Sequence, residues 1–185
     1  MTRFEPLTYP LAGLLSQPPG TRVAYPVAGV TIPLTDDLRL TAPIEGVVNV
    51  ARTNRGVLVD APLATAIAGS CSRCLIDIEV PIEVRIEEEI LPTIDIASGL
   101  PVDQTAEPDA TRLNSHHELE LEPLVRDAIS LAEPIAPLCE AACPGLCVVC
   151  GARLGADHEA HLDDDIDPRL AALKGFRVDG EDETG

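Results

Sequence analysis

Ile76-Asp77-Ile78-Glu79-Val80-Pro81-Ile82-Glu83-Val84-Arg85-Ile86-Glu87 is the stretch that decides the fold class. Its even positions carry only isoleucine and valine, whereas Asp77, Glu79, Glu83, Arg85 and Glu87 hold the odd ones. Successive side chains of a strand point to opposite faces, so this period of two describes a half-buried antiparallel strand with one wet face. Pro81 falls on the wet side and offers no N–H to a neighbour, which favours an edge strand or a bulge.

The same period recurs upstream. Leu38, Leu40, Ile44, Val48 and Val50 share one parity against Arg39, Thr41, Glu45 and Asn49, and Gly46 inside the run suggests a bulge or bend. Val23, Tyr25 and Val27 line one face of a shorter strand, and Thr53-Asn54-Arg55-Gly56 turns the chain into a strand from Val57 to Ile67. Leu11 to Leu15, closed by Pro18-Pro19-Gly20, is a brief helix or turn. Downstream the period lengthens. Leu121, Leu124, Val125, Ala128, Ile129 and Ala132 fit a helix over 121–132, with Pro123 tolerated in the first turn and Glu133-Pro134 ending it. Asp167 and Pro168 form an N-cap and first position for a second short helix that stops at Lys174-Gly175. Residues 92–115 have three prolines, four acids and no period, which predicts a long mobile loop.

The expected fold class is therefore α+β: a mainly antiparallel β-sheet, open or barrel-like, with one or two short helices and a cysteine-rich C-terminal segment. A β-rich domain is expected over 7–137, a metal-binding segment with a short helix over 138–175, and a disordered acidic tail over 176–185.

Composition bounds the partners. Aromatic residues make up 2% of the 185 positions, so the core is built from Leu, Val, Ile and Ala, and no platform for stacking bases exists. Acids outnumber bases 31 to 13, a net charge of −18 that repels phosphates and attracts basic proteins. No apolar run approaches the roughly 18–20 residues of a membrane span. Met1 to Pro6 shows no basic segment leading into an apolar one, so no secretory signal is read and a cytoplasmic protein is expected.

In a reducing compartment, clustered cysteines point to metal more than to disulfides. Cys71-Ser72-Arg73-Cys74 is a C-x2-C pair that can chelate zinc from a tight turn. A redox dithiol is the rival reading, but that chemistry wants a helix N-terminus, and here a strand follows. Cys139, Cys143, Cys147 and Cys150 form a second cluster, and Cys147-Val148-Val149-Cys150-Gly151 has the form of a zinc-ribbon knuckle. His158 and His161 lie beyond it among acidic residues, as ligands or as part of a solvated loop. Six cysteines and two histidines supply two tetrahedral sites, one or two zinc ions in all. One grouping pairs Cys71 and Cys74 with Cys139 and Cys143 and leaves Cys147 and Cys150 to His158 and His161. Alternatively the four later cysteines form one local site, or Cys71 and Cys74 join Cys147 and Cys150.

Three segments carry a family resemblance. Cys71-Ser72-Arg73-Cys74-Leu75 resembles a C-x-R-C-L motif, Cys143-Pro144-Gly145-Leu146-Cys147-Val148-Val149-Cys150-Gly151 a C-x-G-L-C-x-x-C-G motif, and Asp167-Pro168-Arg169-Leu170-Ala171-Ala172-Leu173 a closing D-P-R-x-x-x-L. In that order they are similar to the YceD family, the large ribosomal RNA subunit accumulation proteins, over about residues 9–176. The resemblance implies a bacterial cytosolic factor without catalytic activity, needed for normal accumulation of large-subunit rRNA, whose gene often adjoins that of a small large-subunit ribosomal protein. Many members have a C-x-C pair where this chain has His158 and His161, so either histidines replace thiolates or the second site is lost.

Three functions are compatible with these features. The first is a non-enzymatic ribosome-assembly factor acting on a basic ribosomal protein or an assembly intermediate. Direct rRNA contact is disfavoured, because the arginines are scattered. The second is a thiol oxidoreductase using Cys71 and Cys74, and the third a zinc-ribbon adaptor in transcription. No G-x-S-x-G, H-E-x-x-H or phosphate-loop motif supports hydrolase chemistry.

Overall fold

The computed structural model describes residues 7–35, 38–155, 158, 161, 169 and 170. Strand β1 (Thr8–Pro10) leads into the one-turn helix α1 (Ala12–Leu15). Four long strands follow: β2 (Arg22–Val30), β3 (Leu40–Arg52), β4 (Val57–Ser70) and β5 (Asp77–Ile90). Short β6 (Glu118–Glu120) then precedes helix α2 (Glu122–Ala132).

The long strands form one antiparallel sheet in the order β2-β3-β4-β5, an open meander rather than a closed barrel. β5 alternates as its sequence dictates. Val80, Ile82, Ile86 and Ile90 are buried, while Asp77, Glu79, Pro81, Glu83, Arg85 and Glu87 are exposed. It lies at the sheet edge, where the missing N–H of Pro81 costs no ladder bond, and Pro81 registers with Ala66 of β4. The bend foreseen at Gly46 is present: register shifts flank it between Val27 and Val30 on β2 and between Ala42 and Glu45 on β3. Gly46 has φ of 150°, and a Cβ there would sit 2.3 Å from the Pro62 carbonyl oxygen. Only glycine allows that approach.

One face of the sheet carries the core. Ile44, Val48, Val59, Ile67 and Ile90 pack there with Leu11, Leu119, Leu121, Val125 and Ile129 from the flanking elements. Every member is aliphatic, and each such side chain withdrawn from water contributes about 1.5–3 kcal/mol. α2 covers β5 with Val125 and Ile129, and Pro123 sits in its first turn, where an N–H would have no partner. β1 and β6 pair through Tyr9 and Leu119, bringing the start of the chain to the entrance of α2.

Residues 92–115 form neither helix nor strand, as their composition suggests, yet the segment is anchored. Leu113 N–H donates to the Leu91 carbonyl at 2.9 Å, and Arg55 grips the Glu107 carboxylate through bonds of 2.8 and 2.9 Å. The helix expected from Pro168 lies, apart from Arg169 and Leu170, outside the described residues, as do Asp163 to Asp165 and the acidic tail. Among the described residues no helix is long and apolar enough to cross a membrane.

Candidate metal centres

The hairpin joining β4 to β5 presents the first cysteine pair. Cys71 N–H donates to the Ile76 carbonyl and Leu75 N–H to the Cys71 carbonyl, each at 2.8 Å, so the pair occupies a closed turn between two strands. Completing this turn forces Leu75 to φ of 60°, the left-handed region that a branched side chain avoids. No helix follows the pair, which removes the dipole that a redox dithiol would exploit.

The chain after α2 returns to this hairpin. Ser72 N–H donates to the Pro137 carbonyl at 2.8 Å, and the Arg73 guanidinium donates to the Cys143 carbonyl at 3.0 Å. These contacts deliver Cys139 and Cys143 to Cys71 and Cys74. The Cys71 and Cys143 sulfurs lie 3.7 Å apart, as do those of Cys74 and Cys139. All four sulfurs fall within 4.8 Å of one another. Cys71, Cys74 and Cys143 are buried, with Leu138, Leu146, Ile76 and Ile78 packed around them.

A second group forms beside the first. The Cys147 turn is a knuckle: Gly151 N–H donates to the Cys147 carbonyl at 2.8 Å, Cys147 N–H to the Ala152 carbonyl at 2.7 Å, and Val149 N–H to the Cys147 sulfur at 3.4 Å. Gly151 takes φ of 71°, the conformation that closes the knuckle. His158 brings Nε2 to 3.3 Å from the Cys150 sulfur, and the His158 and His161 rings stand edge to face 5.1 Å apart. Donor atoms of Cys147, Cys150, His158 and His161 again lie within 4.8 Å of one another. This is the grouping in which each C-x2-C pair belongs to a separate site. The donor sets close enough to share one ion are these two, not a single local site of the four late cysteines nor a union of Cys71 and Cys74 with Cys147 and Cys150.

Both groups could hold a metal ion, and the first has the dimensions of a tetrahedral thiolate site. Metal–sulfur bonds of about 2.3 Å give a tetrahedron with sulfur–sulfur edges of about 3.8 Å, close to the observed 3.7 Å. The electrostatics agree. Burial pushes the Cys139 thiol up, and the neighbouring thiols of Cys143, Cys74 and Cys71 add to this, raising it to about 12. Burial likewise raises the Cys143 thiol. Burial also opposes ionisation of Cys71, but the backbone N–H groups of Cys139, Cys74 and Arg73 outweigh it and bring that thiol down to about 6. Without a cation, the group thus favours a thiolate at Cys71, while Cys139 and Cys143 hold their protons more tightly than a free thiol does. A divalent ion would displace those protons, so its affinity falls as pH falls.

The match to known proteins spans both groups. A comparison with protein families matches residues 59–177 to "Large ribosomal RNA subunit accumulation protein YceD". The chain belongs to the YceD family. All six cysteines, His158 and His161 lie inside the matched residues. Among curated proteins, the uncharacterized protein Rv2926c of Mycobacterium tuberculosis is 35% identical over 124 residues, 67% of this chain and 57% of its own. The uncharacterized protein ML1660 of Mycobacterium leprae is 30% identical over 132 residues, 71% of this chain and 58% of its own. The chain therefore spans less than two thirds of the length of these relatives. No solved structure matches.

Proposed function

We propose that this YceD-family chain is a non-catalytic ribosome-biogenesis factor that supports accumulation of large-subunit rRNA by engaging a basic protein, with structural zinc in both cysteine groups. The family match, which runs across both groups, carries the reading. Zinc suits the donors, since thiolate and imidazole in tetrahedral sets favour it over hard cations. A net charge of −18 supports a basic protein rather than RNA as the contact, because each phosphate approached would add repulsion. The cytoplasm, where ribosomes assemble, is the matching compartment.

Affinity capture of the zinc-loaded chain from a bacterial extract, with and without ribonuclease, tests this reading. A large-subunit ribosomal protein should be retained in stoichiometric amount after RNA digestion. Partners that vanish entirely with RNA would show that the contact is nucleic acid.

A further inference from the structure

The four-stranded sheet has a core on one side only. Its other face, turned away from α2, is covered by no element among the described residues, and small side chains interrupt its row of polar ones. Ala24, Ala51, Pro62 and Ala64 stand where the outer row of an exposed sheet commonly carries long polar residues. Two shallow concavities result. One of about 460 Å³ is lined by Glu45, Gly46, Pro62, Ala64, Glu83 and Arg85. The other, of about 520 Å³, is lined by Arg22, Asn49, Ala51, Leu58, Asp60 and Glu87 among others.

The strand register gives the smaller concavity a specific form. Glu45 of β3 and Glu83 of β5 both register with Ala64 of β4, so two carboxylates flank one methyl group across three strands. Strand spacing puts the two flanking backbones about 10 Å apart. That gap admits an extended ammonium or guanidinium stem lying over Ala64 with acid on either side. Among the described residues neither Glu45 nor Glu83 has an ion-pair or hydrogen-bond partner. The nearby Arg85 turns to Asp60 instead, with bonds of 2.7 and 3.1 Å. Further acids, Asp77, Glu79, Glu87 and Glu89, continue the outer row of β5.

We infer that this face is the docking surface for a Lys/Arg-rich peptide segment of the partner, with the Glu45–Ala64–Glu83 row seating one of its cations. The inference rests on the basic-partner reading above and adds the place of contact. Charge complementarity selects the occupant: apolar floor takes the methylene stem, and the flanking carboxylates take the charged head. A polynucleotide would bring phosphates against the same acids and be repelled.

The test titrates the full-length zinc-loaded chain with a synthetic decapeptide of alternating lysine and alanine, followed by amide chemical shifts and by affinity at two salt concentrations. Ala64, Glu83 and their strand neighbours should shift. Glu45→Gln with Glu83→Gln should weaken binding about tenfold and flatten its salt dependence. Ala64→Arg, which fills the slot with its own cation, should do the same with zinc content unchanged. Replacing Asp163, Asp164 and Asp165 by asparagine should change affinity less than twofold. If that last variant abolishes binding while the glutamine pair leaves it intact, the sheet face is wrong and the basic-partner reading stands. If the peptide does not bind at all, both fall. If a single-stranded RNA oligonucleotide shifts the same amides at lower concentration, the face is an RNA surface and the inference is overturned.

Discussion

Leu75 ends the first cysteine turn in a left-handed conformation, with φ of 60°, and 65% of its surface in water. For a residue with a Cβ that conformation costs about 1–2 kcal/mol. The exposed side chain recovers little of it, and the closed turn around Cys71 is what holds the strain. Glycine has no Cβ to clash, so Leu75→Gly should be more stable than Leu75→Ala by about 1 kcal/mol. This reverses the order at ordinary positions in strands and helices, where alanine exceeds glycine by about 0.5–1 kcal/mol. Urea unfolding at saturating zinc measures it, and alanine proving the more stable would show the turn to be unstrained. Leu75 is visible in the sequence as the last residue of the C-x-R-C-L motif, but nothing there shows its backbone angle. The two C-x2-C pairs are visible at once from their spacing. Their partners are not, because spacing within a pair says nothing about which distant pair it meets. That was decided by contacts such as Ser72 to Pro137, between residues with no chemical signature.

Among the elements, β5 was legible because every residue from 76 to 87 obeys one period, and α2 because six apolar positions obey another. The β1–β6 ladder was not, since three residues on each side are too few to show a period. Segment 92–115 gave no sign of its anchors for a similar reason: they are made by isolated backbone groups and by Arg55 reaching 52 positions along the chain to Glu107. The metal-binding segment has a different dependence from the strands. Between 133 and 155 the described chain has no helix or strand, and its buried apolar contacts gather around the sulfurs. The strands keep a separate aliphatic core. Chelation should therefore raise amide exchange across 138–155 by about tenfold or more, while β3, β4 and the middle of β5 stay protected. Cys143→Ser should reproduce the loss around the first group. Hydrogen-exchange mass spectrometry at matched pH reads both, and early collapse of β5 with the later segment unchanged would mean that the metal supports the sheet instead.

For the whole molecule the dominant quantity is the net charge of −18, carried with a core that has no aromatic member. Two electrostatic effects oppose each other. Ion pairs such as Arg85–Asp60 and Arg55–Glu107 stabilise the fold, but they are solvent-exposed. Such pairs contribute little, because water and salt screen them. Repulsion among the excess acids destabilises the compact state, and it too is screened by salt. At about 0.01 M salt the screening length is roughly 30 Å, long enough for acids on opposite edges of the sheet to interact; at 0.15 M it is roughly 8 Å. A few short-range pairs lose little over that change, whereas repulsion summed over many distant acids loses most of its strength. Stability should therefore rise with salt. A gain of about 1 kcal/mol would lift the melting temperature by roughly 2–4 °C for a chain of this size. Thermal unfolding with zinc in excess, run in sodium chloride and again in potassium chloride at equal ionic strength, separates screening from ion-specific binding. The two salts should superimpose and both should raise the midpoint. A falling midpoint would place the balance with the ion pairs and leave the acid surface without the uncompensated field that a basic partner requires.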